Sequence, residues 1–271
     1  MENLVSWGVA GELDAYFDAA PRGDARAVDA GPFTLFVGRT RSSYYARPAL
    51  ARREPITPAD LGTLEQACVE HGVDLALEWV HEVHPELASV AAGYGLEVST
   101  HALMVAAAGN VAAREVESVG LRIVDADDPA LPLGRAVADV SFTFGGTATG
   151  RGGATERDAM AAGLAPDFIE HLRERVRRGL TVTAVAQSDA GVLAVGSYQP
   201  VGELAEVVAV ATLPEARHRG LAAAVTALLA RHAGEHGVPN MLLSAQDADV
   251  ARVYEGVGFR RVGSTHAAER S

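Results

Sequence analysis

The chain has 271 residues, 48% of them hydrophobic, enough for the cores of two ordinary domains. All 23 basic residues are arginine, which excludes a Schiff-base lysine or a Walker-type phosphate loop, and the one cysteine, Cys68, excludes an intrachain disulfide. A net charge of −12 argues against nucleic acid as the main partner, and no apolar run approaches the ~18 residues of a membrane helix.

The opening Met1-Glu-Asn-Leu-Val5 has neither the basic nor the apolar region of a signal peptide, so the cytoplasm is the expected compartment, with no membrane partner. Tyr44, Tyr45 and Trp79 are expected to pack in the core of the first half, with the lining of an acceptor pocket as the alternative. His81 and His84 stand one residue short of the i, i+4 spacing of a zinc helix, and Pro85 breaks that helix, so no metal is expected. The tetrapeptide Glu70-His-Gly-Val73 returns as Glu235-His-Gly-Val238, 165 residues on. At that offset Arg52-Arg-Glu-Pro-Ile-Thr57 lies against Arg217-His-Arg-Gly-Leu-Ala222, with Pro55 opposite Gly220. With two extra residues admitted, Glu86–Leu96 lies against Asp249–Phe259, and Ala91 falls opposite Tyr254. Each half therefore reads as strand, helix, strand, helix. A strand over His101–Ala107 precedes a boundary between Val116 and Leu121, which divides the chain into residues 1–118 and 119–271.

The second half begins on the strand Leu121-Arg-Ile-Val-Asp125 and continues through helices over 131–143 and 155–178. Thr155 with Asp158 forms a capping pattern, and Phe168, Leu172 and Val176 form one apolar face. Between the helices, Phe144–Gly153 holds five glycines in ten residues, a flexible connection or a lid. Strands follow over 180–186 and 192–198, joined by a hairpin at Ser188–Gly191, and then over 204–212, a Val/Ala run suited to burial on both faces. Pro214 ends that run. Leu221, Val225, Leu228, Leu229 and His232 recur at helical spacing up to Gly234 and Gly237, and Met241–Leu243 reads as a further strand. The first amides of the helix at Leu221 lack intrahelical partners and carry positive partial charge, so a phosphate fits there. Gly220 allows close backbone approach, Arg217 and Arg219 add charge, and His218 lies within the same turn.

Arg217-x-x-Gly220-x-Ala222 is similar to motif A of the GNAT superfamily of acyl-CoA-dependent N-acyltransferases, Arg/Gln-x-x-Gly-x-Gly/Ala. Asp247-Ala-Asp-Val-Ala-Arg-Val-Tyr254-Glu-Gly-Val-Gly-Phe259 resembles its motif B, with Asp247 where Asn is usual and Val250 where Ala is usual. The resemblance covers residues 121 to 271. It implies an α/β fold with an α+β mixed sheet, organised as two tandem GNAT-like domains: a degenerate copy over 1–118 and a catalytic one over 119–271. It further implies acetyl-CoA as cosubstrate, held by Val210, Ala211, Thr212, Arg217, His218, Arg219, Gly220, Leu221, Ala222 and Asp247. In the first copy Pro55 offers no N–H and Glu54 brings negative charge, so that copy is not expected to hold the coenzyme.

Acyl transfer to an amine needs a base, an oxyanion stabiliser and an acid for the leaving thiolate. Glu206, eleven residues before Arg217, matches the spacing of the general base in the histone-acetylating branch, with Glu203, Asp247 and Asp249 as substitutes. A phenol with a reference pKa of about 10 can protonate a thiolate of about 8.5, which gives Tyr254 the acid's role; a core aromatic is its alternative. Backbone amides around Val210–Thr212 would polarise the thioester carbonyl, as the resemblance implies. The expected activity is direct transfer of acetyl to a primary amine of a small molecule or peptide, by a monomer or homodimer. A coenzyme A-binding regulatory module without turnover and an aminoacyl-tRNA-dependent transferase are the alternatives. The negative net charge would draw cationic acceptors such as polyamines, aminoglycoside-like compounds or peptide N-termini.

Overall fold

A computed structural model describes residues 7–38, 45–50, 52, 54–112, 116–144 and 147–270. Its contacts divide the chain into two compact units, Met1–Leu103 with Arg261–Ser271, and Met104–Arg260.

The first unit contains α1 (Trp7–Arg22), β1 (Ala25–Ala30), β2 (Phe33–Gly38), β3 (Ala46–Pro48), α2 (Pro58–His71), β4 (Ala76–Val80), α3 (Leu87–Gly93) and the start of β5 (Glu97–Ala107). Antiparallel β1–β2–β3 leads to β4, which pairs in parallel with β3. The last strand of the chain, β11 (Arg260–Glu269), joins this unit and pairs antiparallel with β4, Thr265 opposite Val80 and Glu269 opposite Ala76. Leu61, Leu64 and Cys68 of α2 pack on Leu35, Leu77 and Trp79 of the strands. Trp79 lies in this core with its ring against His266, and the Tyr45 hydroxyl donates to the Phe17 carbonyl at 3.2 Å. Tyr44 lies outside the described residues. Burial pushes the Cys68 thiol up to about 11, so it is an inert core side chain. His81 and His84 stand in the turn after β4, where His81 meets His266 at 3.1 Å. Among the described residues no group of three or more His, Cys, Asp or Glu is placed to hold a metal.

The second unit takes the last residues of β5 and adds β6 (Gly120–Val124), α4 (Ala130–Phe142), α5 (Ala154–Ala162), α6 (Pro166–Arg177), β7 (Val182–Ser188), β8 (Gly191–Val201), β9 (Leu204–Thr212), α7 (Leu221–Glu235), β10 (Asn240–Ala245) and α8 (Ala248–Glu255). Strands β6 to β9 form an antiparallel meander, and β10 pairs in parallel with β9. The helix expected over 155–178 is two helices, because the chain turns at Gly163 and Pro166, which lacks an N–H, opens the second. The cap also differs from Thr155 with Asp158: Gly153 is the N-cap, and its N–H donates to the Glu156 carboxylate at 2.9 Å. Among the described residues no helix is long and apolar enough to cross a membrane.

The repeat is visible in the element order. Helix α2, β4, α3 and β5 follow one another as α7, β10, α8 and β11 do, in the order read from the sequence repeat.

Candidate active site

Two local features open the second unit's sheet beside α7. The pairing of β10 with β9 ends at Leu242 opposite Glu206, although both strands run on, to Ala245 and Thr212. On the other side of β9, Ser197 opposes Val208 and Val195 opposes Ala211, so Ala209 and Val210 share the single partner Gly196. This is a β-bulge, with Ala209 at φ +52°, and it bends β9 where the ladder to β10 ends. A side chain at position 196 would come within 2.8 Å of Val225 on α7, so only glycine lets the helix lie this close over the bulge.

The opening is a cavity of about 680 Å³, lined by Glu206 to Thr212 of β9, Ala216 to His218 and Gly220 to Ala223 around the turn, Ser244 and Gln246 at the end of β10, Tyr254 with neighbours on α8, Ser141 and Phe142 at the end of α4, and Phe144 and Thr147 after it. Gly220 forms its anion-binding corner. It is the N-cap of α7 at φ +79°, no side chain caps the helix, and no acidic residue stands in the first turn. The Gly220 carbonyl accepts from the Ala224 N–H at 3.0 Å, and Leu221, Ala222 and Ala223 before it all line the cavity. Their amides are therefore available to an anion, so the corner fits a pyrophosphate. The matching helix in the first unit is closed: Thr57 caps α2, and the Asp60 carboxylate accepts from the Thr57 N–H at 2.8 Å. Those bonds hold the Asp60 carboxyl below its usual range, and its negative charge occupies the helix start. At the same offset, Arg47 stands where Thr212 stands, and its buried guanidinium pairs with Asp14 of α1.

The sequence-assigned residues separate into those on the cavity wall and those away from it. Glu206, Val210, Ala211, Thr212, Arg217, His218, Gly220, Leu221, Ala222 and Tyr254 line it. Arg219 is exposed and does not. Asp247 caps α8, accepting from the amides of Asp249 and Val250 at 2.9 and 2.8 Å, so its carboxylate is committed to the helix. Glu203 and Asp249 also lie off the wall. Arg217 is engaged differently from a free phosphate ligand. Its guanidinium donates to the carbonyls of Thr212 at 3.3 Å, Ser141 at 2.9 Å, Phe144 at 3.2 Å and Ala148. Burial lowers its pKa, and those carbonyls replace the lost water. Arg217 thus ties the end of α4 to the turn before Gly220. The glycine-rich segment is packed rather than loose where described: a Cβ on Gly152 would meet Val140, Phe144 and Pro214 at 3.0 to 3.1 Å. Gly145 and Gly146 lie outside the described residues.

Tyr254 is buried, its ring edge-on to Phe259 with centroids 5.8 Å apart. No hydrogen bond to its hydroxyl is present among the described residues, and burial raises its pKa above the ordinary phenol value. Ser141, Phe142, Ser244 and Gln246 belong to the wall without any local sequence signal. Ser244 and Gln246 could have been sought at the carboxyl end of a parallel strand, where sheets open; the end of α4 could not.

The family model described as FR47-like protein matches residues 186–268, which include β9, the Gly220 turn and Tyr254. A GCN5-related N-acetyltransferase from Kribbella flavida superposes with a TM-score of 0.70 at 22% identity, covering 98% of this chain and 97% of that one. The chain has the GNAT fold. Other GNAT structures agree: one from Sphaerobacter thermophilus gives a TM-score of 0.54 at 15% identity, covering 90% of this chain and 82% of its own. A tandem GNAT protein from the clavulanic acid biosynthesis pathway gives 0.56 at 15% identity, covering 88% and 78%. No curated protein matches the sequence.

Proposed function

We propose that the second unit of this GNAT protein is an N-acyltransferase that moves an acyl group, acetyl in the first instance, from coenzyme A to a primary amine. The observation that carries this reading is the meeting of an uncapped helix start at Gly220, a half-buried Glu206 and a buried Tyr254 on one cavity. Coenzyme A supplies the activated thioester. The amides of Leu221 to Ala223 hold its pyrophosphate, and the bulged backbone of Val208 to Thr212 aligns the acyl arm. Glu206 takes a proton from the bound ammonium by way of a bridging water. The freed nitrogen bonds to the acyl carbon, the carbon–sulfur bond breaks, and Tyr254 protonates the departing thiolate. The ammonium loses two protons and the thiolate regains one, so one proton is released per turnover. The first unit, with its helix start closed by Thr57 and Asp60, would not take part in coenzyme binding.

A thiol-release assay with acetyl-CoA against a broad amine library, with mass spectrometry of the products, tests the reading. Tight coenzyme binding without any acylated amine would replace it with a regulatory module, and a shifted tRNA band on a gel would favour an aminoacyl-tRNA-dependent transferase. The charge of −12 speaks against the latter. Arg217→Ala is expected to raise the amine KM on the order of tenfold while changing the coenzyme dissociation constant less, because the lost bonds hold the α4 end of the wall. Initial-rate kinetics beside calorimetry check this; a loss confined to coenzyme affinity would assign Arg217 to the phosphate instead.

A further inference from the structure

Resting on the acyltransferase reading, the chemistry of the cavity wall narrows the class of amine. Every ammonium brought into a partly buried site needs an anionic or strongly accepting partner, since an unpaired buried charge is costly. Among the described lining residues Glu206 is the single carboxylate. The nearby charge is positive, from Arg217 and the start of α7, and disfavours a second ammonium. The rest of the wall mixes the polar side chains of Thr147, His218, Ser244 and Gln246 with an apolar stretch at the rim. Phe142 is 62% exposed and Val253 36% exposed, two of the five large hydrophobic side chains exposed among the described residues, and both line this cavity. Single exposed apolar side chains are ordinary, but two at the rim of one cavity, with Phe144 and Val250 on the same wall, form a surface that a ligand would cover.

We propose that the acceptor is a primary monoamine carried on an uncharged apolar or aryl group, with Phe142 and Val253 as the side chains that select it. One carboxylate matches one ammonium, and the apolar rim covers the rest of the molecule. The chain's negative surface draws cations in general, but a polyamine or aminoglycoside would find no second carboxylate inside the cavity for its further ammonium groups.

The test uses the full chain with acetyl-CoA and three probes: 2-phenylethylamine, ethylamine and spermidine. The kcat/KM for phenylethylamine is expected to exceed that for spermidine by at least about tenfold. Phe142→Ala should lower the phenylethylamine value about tenfold through KM, with ethylamine little changed and Phe142→Leu recovering most of the loss. A spermidine value equal to or above that of phenylethylamine, or an equal effect of Phe142→Ala on all three amines, would overturn the proposal. Phenylethylamine binding to the coenzyme A-loaded protein, measured by calorimetry, separates the two readings. If no amine turns over, transfer fails; saturable phenylethylamine binding that Phe142→Ala weakens would still uphold the monoamine slot, and absence of binding would overturn it.

Discussion

Gly220→Pro is expected to raise the dissociation constant for coenzyme A at least about a hundredfold, a loss of about 3 kcal/mol. Gly220 sits at φ +79° as the N-cap of α7, and proline's ring holds φ near about −65°. The turn cannot keep its path with that residue in place, so the amides of Leu221 to Ala223 no longer converge. Gly220→Ala separates backbone strain from crowding. Nothing lies within 4 Å of a Cβ built there, so its cost is the left-handed conformation alone, about 1 to 2 kcal/mol, or on the order of tenfold in affinity. Calorimetry should order the affinities as wild type, alanine, proline, with circular dichroism reporting whether α7 persists. Wild-type affinity in a folded proline variant would remove the coenzyme from this corner.

Tyr254→Phe is expected to lower kcat by about 10²- to 10³-fold while leaving the coenzyme dissociation constant within about twofold. The substitution is clean for a physical reason: no hydrogen bond to the Tyr254 hydroxyl is present among the described residues, so its removal orphans no buried partner. The ring keeps its contact with Phe259, and the melting temperature should hold or rise slightly. Burial raises the phenol's pKa above its ordinary value, so the proton-bearing form, the one that donates, persists through neutral and mildly alkaline pH. A fall in kcat caused by ionisation of Tyr254 is therefore expected only above pH ~10. Stopped-flow turnover across pH, in wild type and variant, checks both points. An unchanged kcat in the phenylalanine variant would leave Tyr254 as a core aromatic.

What could be read locally agrees closely with the structure. The Gly220 turn was legible because a helix start, its glycine and the strand before it lie within a few residues of one another, and the same holds for Tyr254 on α8 and Glu206 on β9. Asp247 was legible as part of a motif, but its capping bonds to Asp249 and Val250 became clear only from coordinates. The glycine-rich segment misled for a related reason: composition reports conformational freedom, whereas close packing against Phe144 and Pro214 also demands glycine. Helices α5 and α6 followed the same pattern, since their combined apolar spacing hid the stop at Gly163 and the restart at Pro166.

The sequence by itself determined the order of elements and the open helix start at Gly220, because each depends on residues close together in the chain, whereas the closing of the first unit's helix start by Thr57, two residues beyond Pro55, and Asp60 came from the structure. The tertiary structure decided which distant segments share a wall and which strands share a unit. Arg217 holds the Ser141 and Phe144 carbonyls on either side of Phe142 at the cavity wall, and the residues from Arg261 onward belong with the first unit, where β11 pairs with β4. Strand pairing and cavity closure are made by backbone hydrogen bonds and packing between residues far apart in sequence, and neither leaves a periodic or local mark in the amino-acid order.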